Sequence, residues 1–398
     1  MEAMNTDARR FDVIVLGAGA AGLMCAATAG QRGRRVALLE HNGQVGRKIL
    51  ISGGGRCNFT NLHCGPENFL SSNEHFAKSA LALYRPLHFV ELVNRYGIAW
   101  HEKKLGQLFC DHSARAIVEM LVEECRRGTV EIILNAGGIK IEGKGGAFHV
   151  KCLQGEFEAE ALVVATGGLS IPKLGATGFG YELARRFGMK VIEPKPALVP
   201  FVLEGNESAW TSLAGVAADV SIGTAGACGE ASFREKLLVT HRGLSGPAVL
   251  QASSYWHKGE DVKVDFAPGI EVLGPLRQPG AQRGEAALKQ ALHEVLPQRL
   301  AGFLAEACMP RGWSNAALAE YEKRFHSWVF HPVSTEGFDK AEVTSGGVDT
   351  AGLKARTLEA LEVPGLFFVG EVVDVTGWLG GYNFQWAWAS GTAAGRAV

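Results

Sequence analysis

The chain has 398 residues, 47% of them hydrophobic and 20% charged, the balance of an ordinary globular protein with material for a large core and two or three domains. Its 40 basic and 41 acidic residues leave a formal net charge of −1, which gives no electrostatic reason to expect nucleic acid or an anionic membrane as partner. Met1 to Arg10 lack an apolar secretory segment, and no apolar run reaches the roughly 18 residues of a membrane span, so a cytoplasmic location is expected.

The first predicted strand is Phe11 to Leu16, and it runs straight into Gly17-Ala18-Gly19-Ala20-Ala21-Gly22. A helix follows, with Leu23, Ala26, Ala27 and Gly30 forming a face of small residues suited to close packing on a sheet. Arg35 to Leu39 reads as the second strand, ending at Glu40. This is the dinucleotide-binding pattern. Gly17 permits the tight turn, Gly19 lets backbone approach a pyrophosphate, and Gly22 allows close helix–strand packing. The helix start, from Ala20 and Ala21, offers unpaired N–H groups to phosphate, and Glu40 suits ribose hydroxyls.

A Gly-rich run, Gly46 to Asn58, comes next. Residues 76–127 are expected to be mainly helical, with Thr129 to Leu134 and Ala147 to Leu153 as strands of a small antiparallel element. Ala161 to Ala165 is a further buried strand, closing on Thr166-Gly167-Gly168. Gly175 to Gly180 has the wrong spacing for a second nucleotide loop and reads as a helix-capping turn. The prolines at 194 and 196 mark a change of pattern. The boundaries expected are residues 1–192 for the first part of the nucleotide domain, 193–342 for an inserted α+β domain on the substrate side, and 343–398 for the returning part.

Leu366 to Val369 is the last predicted strand, and it ends in Gly370-Glu371-Val372-Val373-Asp374. This resembles the Gly-(Glu/Asp)-x-x-Asp segment with which flavoproteins hold the ribitol and phosphate of FAD; a buried ion pair is the other reading of Asp374. Gly380-Gly381 then opens a helix whose N-terminus suits the pyrimidine edge of a flavin. Trp386 and Trp388 are expected in the core, as is Cys25. The eight cysteines form no CxxC pair, and no metal site is expected.

Three segments, Gly46 to Asn61, Thr344 to Val348 and Gly365 to Gly391, resemble the YhiN-type, aminoacetone oxidase-like family of bacterial FAD-binding flavoproteins. The likeness covers nearly the whole chain. It implies an α/β fold: a Rossmann-like FAD-binding domain with a central parallel sheet, interrupted by the inserted domain. It also implies that Ser52, Gly53, Gly54, Arg56 and Asn58 line the cofactor, with Thr166 and Gly167 nearby, and that Gly381, Asn383 and Gln385 close over the flavin end. There is one departure. Where the family usually has a β-branched residue against the adenine, this chain reads Asn135-Ala136-Gly137-Gly138.

Four side chains are candidates for chemistry. His241 and Arg242 lie in Val239 to Pro247, which resembles the family's Thr-His-x-Gly-Leu-Ser-Gly-Pro segment; they suit carboxylate binding or proton shuttling, while turn chemistry explains the same Gly, Ser and Pro. Lys48 either lies near the flavin or pairs with a carboxylate. Tyr382 either reaches a substrate or is structural.

The expected function is an FAD-dependent oxidoreductase that moves a hydride between a small organic substrate and flavin N5, with NAD(P)H as a candidate transient donor. An amine or amino-acid oxidase using oxygen is the enzymatic alternative. A flavin redox sensor, or an RNA-associated FAD protein, is the alternative of another class, and the neutral charge and lack of a Lys/Arg-rich run weigh against RNA. Substrate identity, electron donor and the choice of monomer or homo-oligomer are left open.

Overall fold

Val13 to Leu16 are each at most 1% exposed, and they carry strand β1 (Arg9–Leu16) through the interior of a sheet. The computed structural model describes residues 8–143, 146–226, 229–307 and 309–398; Cys228, Cys308 and most of the Met1–Arg10 segment lie outside them. The chain divides into two compact units. One is the chain up to Lys195 together with Val343–Val398, and the other is Pro196–Glu342.

In the first unit β1 is followed by α1 (Ala20–Gln31), β2 (Val36–Leu39), α2 (Arg47–Gly55), β3 (Asn58–Asn61) and β4 (Phe69–Leu70). Then come α3 (Lys78–Leu83), α4 (Pro86–Arg95), β5 (Trp100–Glu102), β6 (Gln107–Cys110) and α5 (Arg115–Arg127). They lead to β7 (Glu131–Ile133), β8 (Lys140–Glu142), β9 (Phe148–Cys152), β10 (Gly155–Val164), α6 (Phe179–Arg186) and β11 (Val191–Ala197). The second unit holds β12 (Phe201–Val202), β13 (Ala217–Gly226), β14 (Gly229–Val239), β15 (Gly243–Ser245), α7 (Pro247–Ser253) and β16 (Val262–Asp265). It continues with α8 (Gly274–Arg277), α9 (Glu285–His293), α10 (Gln298–Ala307), α11 (Asn315–Phe325), β17 (Trp328–Phe330) and β18 (Ser334–Thr335). The first unit resumes with β19 (Val343–Val348), β20 (Leu366–Phe368), β21 (Thr376–Gly377) and α12 (Tyr382–Ala397).

The main sheet is Rossmann-like. Its parallel centre runs β7-β2-β1-β10. The far edge of β10 is shared: Gly155 to Ala159 pair antiparallel with β9, and Leu162 to Val164 pair parallel with β20. Two expectations are corrected here. Residues 129–134 do not belong to a small antiparallel element, because β7 pairs parallel with β2 at the sheet edge. Residues 76–127 are not helical throughout, because β5 and β6 form a hairpin that joins β3 in a three-stranded sheet. Short strands with mixed burial leave little periodicity to read.

The small face of α1 serves a purpose beyond the sheet. A Cβ on Gly391 would stand 2.5 Å from the Ala21 carbonyl oxygen, and one on Gly395 would stand 2.6 Å from that of Cys25. Helix α12 therefore lies backbone-close on α1, with Trp386 and Trp388 buried behind it.

The second unit is an antiparallel sheet in the order β17-β16-β13-β14-β15-β12-β18 with helices packed to it. Trp210 anchors its core, stacked on Phe266 at 5.7 Å and edge-on to Phe330 at 4.8 Å.

Candidate functional site

The three glycines after β1 do three different things. Gly17 has φ +101°, and a Cβ there would come within 2.6 Å of the Ala165 carbonyl oxygen. At Gly22 a Cβ would meet the Gly17 carbonyl oxygen at 1.8 Å. At Gly19 it would meet nothing within 4 Å. Two glycines thus close the packing between β1, β10 and α1, and the third leaves the turn open at the helix N-terminus, beside Ala20 and Ala21. Glu40 stands beneath this turn. One carboxylate oxygen accepts the Ala18 N–H at 2.8 Å, and the other accepts the backbone and side-chain N–H groups of Asn42 at 2.8 and 2.9 Å. The Ala136 N–H reaches the Glu40 carbonyl at 2.8 Å, which brings the Asn135–Gly138 segment to the same place. Gly167, after β10, has φ +73° and an open Cβ position. Next to it Thr166 Oγ1 is buried without a hydrogen-bond partner among the described residues.

The second Gly-rich run is helical only at its start. Ser52 is extended, and Gly53 and Gly54 are both left-handed. A Cβ on Gly53 would stand 2.8 Å from the Asn58 N and 2.9 Å from the Phe109 ring, whereas Gly54 is open. Cys57 follows in a left-handed conformation, fully buried, and burial pushes its thiol up. Arg56 is exposed and its carbonyl accepts the Cys110 N–H at 3.0 Å. A Cβ on Gly381 would stand 2.4 Å from the Thr60 carbonyl oxygen and 2.9 Å from Asn58 Oδ1, so the Gly380–Gly381 turn rests on β3.

The C-terminal half meets the N-terminal half directly. A Cβ on Gly370 would stand 2.8 Å from that of Ala21. The Gly370 carbonyl accepts the Trp386 indole N–H at 3.0 Å, and its N–H donates to Ser390 Oγ at 3.0 Å. Glu371 is held by three donors: Lys48 Nζ at 2.7 Å, Ser170 Oγ at 3.0 Å and the Thr344 N–H at 2.8 Å. Asp374, also buried, accepts the Ser72 N–H at 2.9 Å and the Ser72 hydroxyl. Asn383 clasps the turn before α12, accepting the Gly377 N–H and donating to the Gly377 carbonyl, both at 2.8 Å. Gln385 is 0% exposed; it accepts the Thr60 hydroxyl and donates to the Tyr84 carbonyl, both at 2.7 Å.

Of the four candidates for chemistry, Lys48 and Tyr382 lie in the first unit. Lys48 is engaged with Glu371 and Ser170. Tyr382 packs edge-on to Phe69 and Trp378, and burial, reinforced by Cys64 and Glu67, pushes its phenol up to about 12. In the second unit His241 and Arg242 are exposed on the turn between β14 and β15, and Arg242 pairs with Glu336 at 3.3 Å. Sequence reading did not find Ser72, Ser170 or Thr344. Ser72 and Ser170 are short polar side chains in loops that partner carboxylates distant in sequence, whereas Thr344, in β19 and within the Thr344–Val348 segment, bonds Glu371 through its backbone N–H.

The arrangement fits FAD. Gly19, Gly54 and Gly167 each present bare backbone with open space where a side chain would stand, and the buried Thr166 hydroxyl lacks a partner beside one of them. The HI0933-like protein Rossmann domain family matches residues 11–397. A "Ribosomal RNA dihydrouridine synthase" of Escherichia coli (strain K12) is 48% identical over 97% of this chain and 98% of its own length. A protein of the same name from Haemophilus influenzae is 44% identical over 97% and 98%. The "3-dehydro-bile acid delta(4,6)-reductase" of Clostridium scindens is 30% identical over 96% and 98%.

These names overturn two expectations: a small organic substrate for the hydride, and the absence of a nucleic-acid partner. The physical reason is that net charge sums the whole chain, whereas contact with RNA needs only a few well-placed cations. Of the readings first set out, the RNA-associated FAD protein is the alternative these relatives favour. The chain belongs to the HI0933-like family of FAD-binding Rossmann proteins and is an FAD-dependent enzyme.

Proposed function

We propose that this chain reduces the C5–C6 double bond of a uracil base in ribosomal RNA, giving dihydrouridine, with FAD as resident cofactor and a reduced nicotinamide as donor. The observation that carries this reading is the 48% identity, over nearly all of both chains, to a protein named for that reaction. A cytoplasmic location goes with it.

The reaction adds two electrons and two protons. A hydride equivalent goes to C6, the position conjugated through C5 to the C4 carbonyl, and a proton goes to C5. Bound FAD supplies the two-electron exchange between donor and base. The chain's own residues supply the rest. Gly17 to Gly22 and the first amides of α1 would hold the pyrophosphate, and Glu40 the ribose. Asp374, with the backbone at Gly370, would take the ribitol and phosphate. Ser52 to Asn58, Thr166, Gly167 and Gly381 would frame the ring. Asn383 and Gln385 serve by fixing the turn before α12, since their amides are already engaged. Lys48 holds Glu371 in place, and both are positioning residues in this reading.

Tyr382 carries its proton at neutral pH, as any phenol near 10 does, and burial raises it further, to about 12. It is the candidate donor of the proton to C5. His241 and Arg242, exposed in the second unit with Arg242 paired to Glu336, are given no step in this reading.

An anaerobic titration tests the reading. The flavin band of the holoprotein should bleach with NADPH or NADH, then recover when ribosomal RNA from cells lacking this gene is added. A reduced band that ribosomal RNA leaves unchanged would count against it.

A further inference from the structure

Between β5 and β6 lies a hairpin tip, Lys103-Lys104-Leu105-Gly106, whose features the cofactor site does not explain. Leu105 is 59% exposed and has φ +51°, a conformation that side chains with a Cβ disfavour. An exposed leucine alone is ordinary. One held in a left-handed backbone, preceded by two exposed lysines and fastened beside the candidate ring site, is not.

The tip is tied to that site at two points. Asn61 Nδ2 donates both to the Leu105 carbonyl at 3.0 Å and to the Gly380 carbonyl at 2.9 Å, so one buried amide joins the tip to the Gly380–Gly381 turn. On the other side the Lys103 ammonium stands 5.4 Å over the Phe109 ring. A Cβ on Gly53 would come within 2.9 Å of that same ring. Exposed Leu62 and His63 flank the tip. Leu62 N–H donates to the Gly106 carbonyl at 2.8 Å, and a Cβ on Gly106 would touch the His63 ring.

We propose that this tip is an RNA-strand contact that keeps a target uridine out of its stack: Leu105 fills the space the base leaves, and Lys103 and Lys104 take flanking phosphates. The inference rests on the ribosomal-RNA reading above. A base buried in folded RNA is out of reach of a flavin until it is extruded. Apolar wedges that stand in for a displaced base, beside cations on the backbone, are the physical solution. Rigid anchoring through Asn61 suits a wedge, which has to hold its position against restacking.

Two variants separate the roles. Leu105→Gly removes the wedge and relieves the left-handed backbone, so loss of folding cannot account for its effect. Lys103→Ala/Lys104→Ala removes the phosphate contacts. Both would be compared with wild-type holoprotein for flavin content, for flavin bleaching by NADPH, and for dihydrouridine formed on folded and on heat-denatured ribosomal RNA from cells lacking the gene. Leu105→Gly should slow the reaction on folded RNA at least about tenfold and spare denatured RNA, with flavin content and bleaching unchanged. The double lysine variant should flatten the dependence of log affinity on log salt by about 1.4. Wild-type rates and salt slopes in both variants, with an active wild type, would overturn the tip alone. A wild type that forms no dihydrouridine on either RNA would overturn the ribosomal-RNA reading, and the tip with it.

Discussion

The Lys48 ammonium lies 2.7 Å from a carboxylate oxygen of Glu371, a residue 323 positions later in the chain. This ion pair fastens α2, which opens the second Gly-rich run, to the segment after β20 that returns to complete the site. Neither partner is exposed enough for water to replace the contact freely, with side chains 35% and 19% accessible. Replacing Lys48 by Met leaves Glu371 its bonds from Ser170 and Thr344, so a loss of only about 1–2 kcal/mol in stability is expected, with a larger fall in FAD retention. Lys48→Arg should restore part of both. Thermal melts and flavin content of the purified variants check this, and a Met variant that melts and retains flavin like wild type would contradict it.

Gly19 and Gly22 make opposite predictions from one substitution. Gly19→Ala puts a methyl group into open space on an extended backbone, so stability should change by no more than about 0.5 kcal/mol while FAD binding weakens tenfold or more. Gly22→Ala forces a methyl group to 1.8 Å from the Gly17 carbonyl oxygen and should destabilise the fold by about 3 kcal/mol or abolish it. Denaturant melts of the apoproteins, together with FAD titrations, separate the two outcomes. If Gly19→Ala binds FAD as wild type does, the pyrophosphate does not sit at this turn.

How much of this was legible in the sequence depends on how local the cause is. The strand ending at Leu16, the Gly17–Gly22 turn and the Gly381 start of α12 are set by neighbouring residues, and they lie where the pattern places them. Strand β10 was read only in its apolar half, because Gly155 to Glu160 alternate with polar residues, and Gly155 to Ala159 pair with β9. The partners of Glu371 and Asp374 were out of reach for another reason. Ser170 and Ser72 come to these carboxylates through the fold, across separations of 201 and 302 residues, and no spacing rule links them. The ribosomal RNA in the relatives' names was out of reach for a third reason: a net charge of −1 sums the whole chain and says nothing of local groups of cations.

The two predicted cofactor carboxylates differ in what they already hold. Glu40→Ala frees the Ala18 N–H in a buried turn, at a cost of about 1–3 kcal/mol, and should also weaken FAD retention. Asp374→Ala should weaken FAD retention, with a smaller effect on folding if Ser72 is replaced by Ala at the same time. Flavin-to-protein ratios after gel filtration decide the matter. Unchanged ratios in both single variants would remove these residues from the cofactor site.

Tyr382 carries a pH prediction. Its phenol is raised by burial from its ordinary value near 10 to about 12, so the neutral form is favoured in the folded state. The resulting stability is complete below pH about 10 and is lost as pH rises through about 12. A neutral donor also predicts turnover free of a Tyr382 titration below pH about 10, and a drop of about a hundredfold or more in Tyr382→Phe across that range. Equal turnover of Tyr382→Phe and wild type would assign the proton to another group.

The central claim is that the chain reduces uridine in ribosomal RNA. Nucleoside mass spectrometry tests it most directly, on ribosomal RNA from cells lacking the gene, before and after incubation with purified holoprotein and NADPH. The account predicts a dihydrouridine peak, heavier than uridine by two hydrogens, that is absent before incubation and does not form with FAD-free protein. Ribosomal RNA whose dihydrouridine content is the same with and without the enzyme would contradict it.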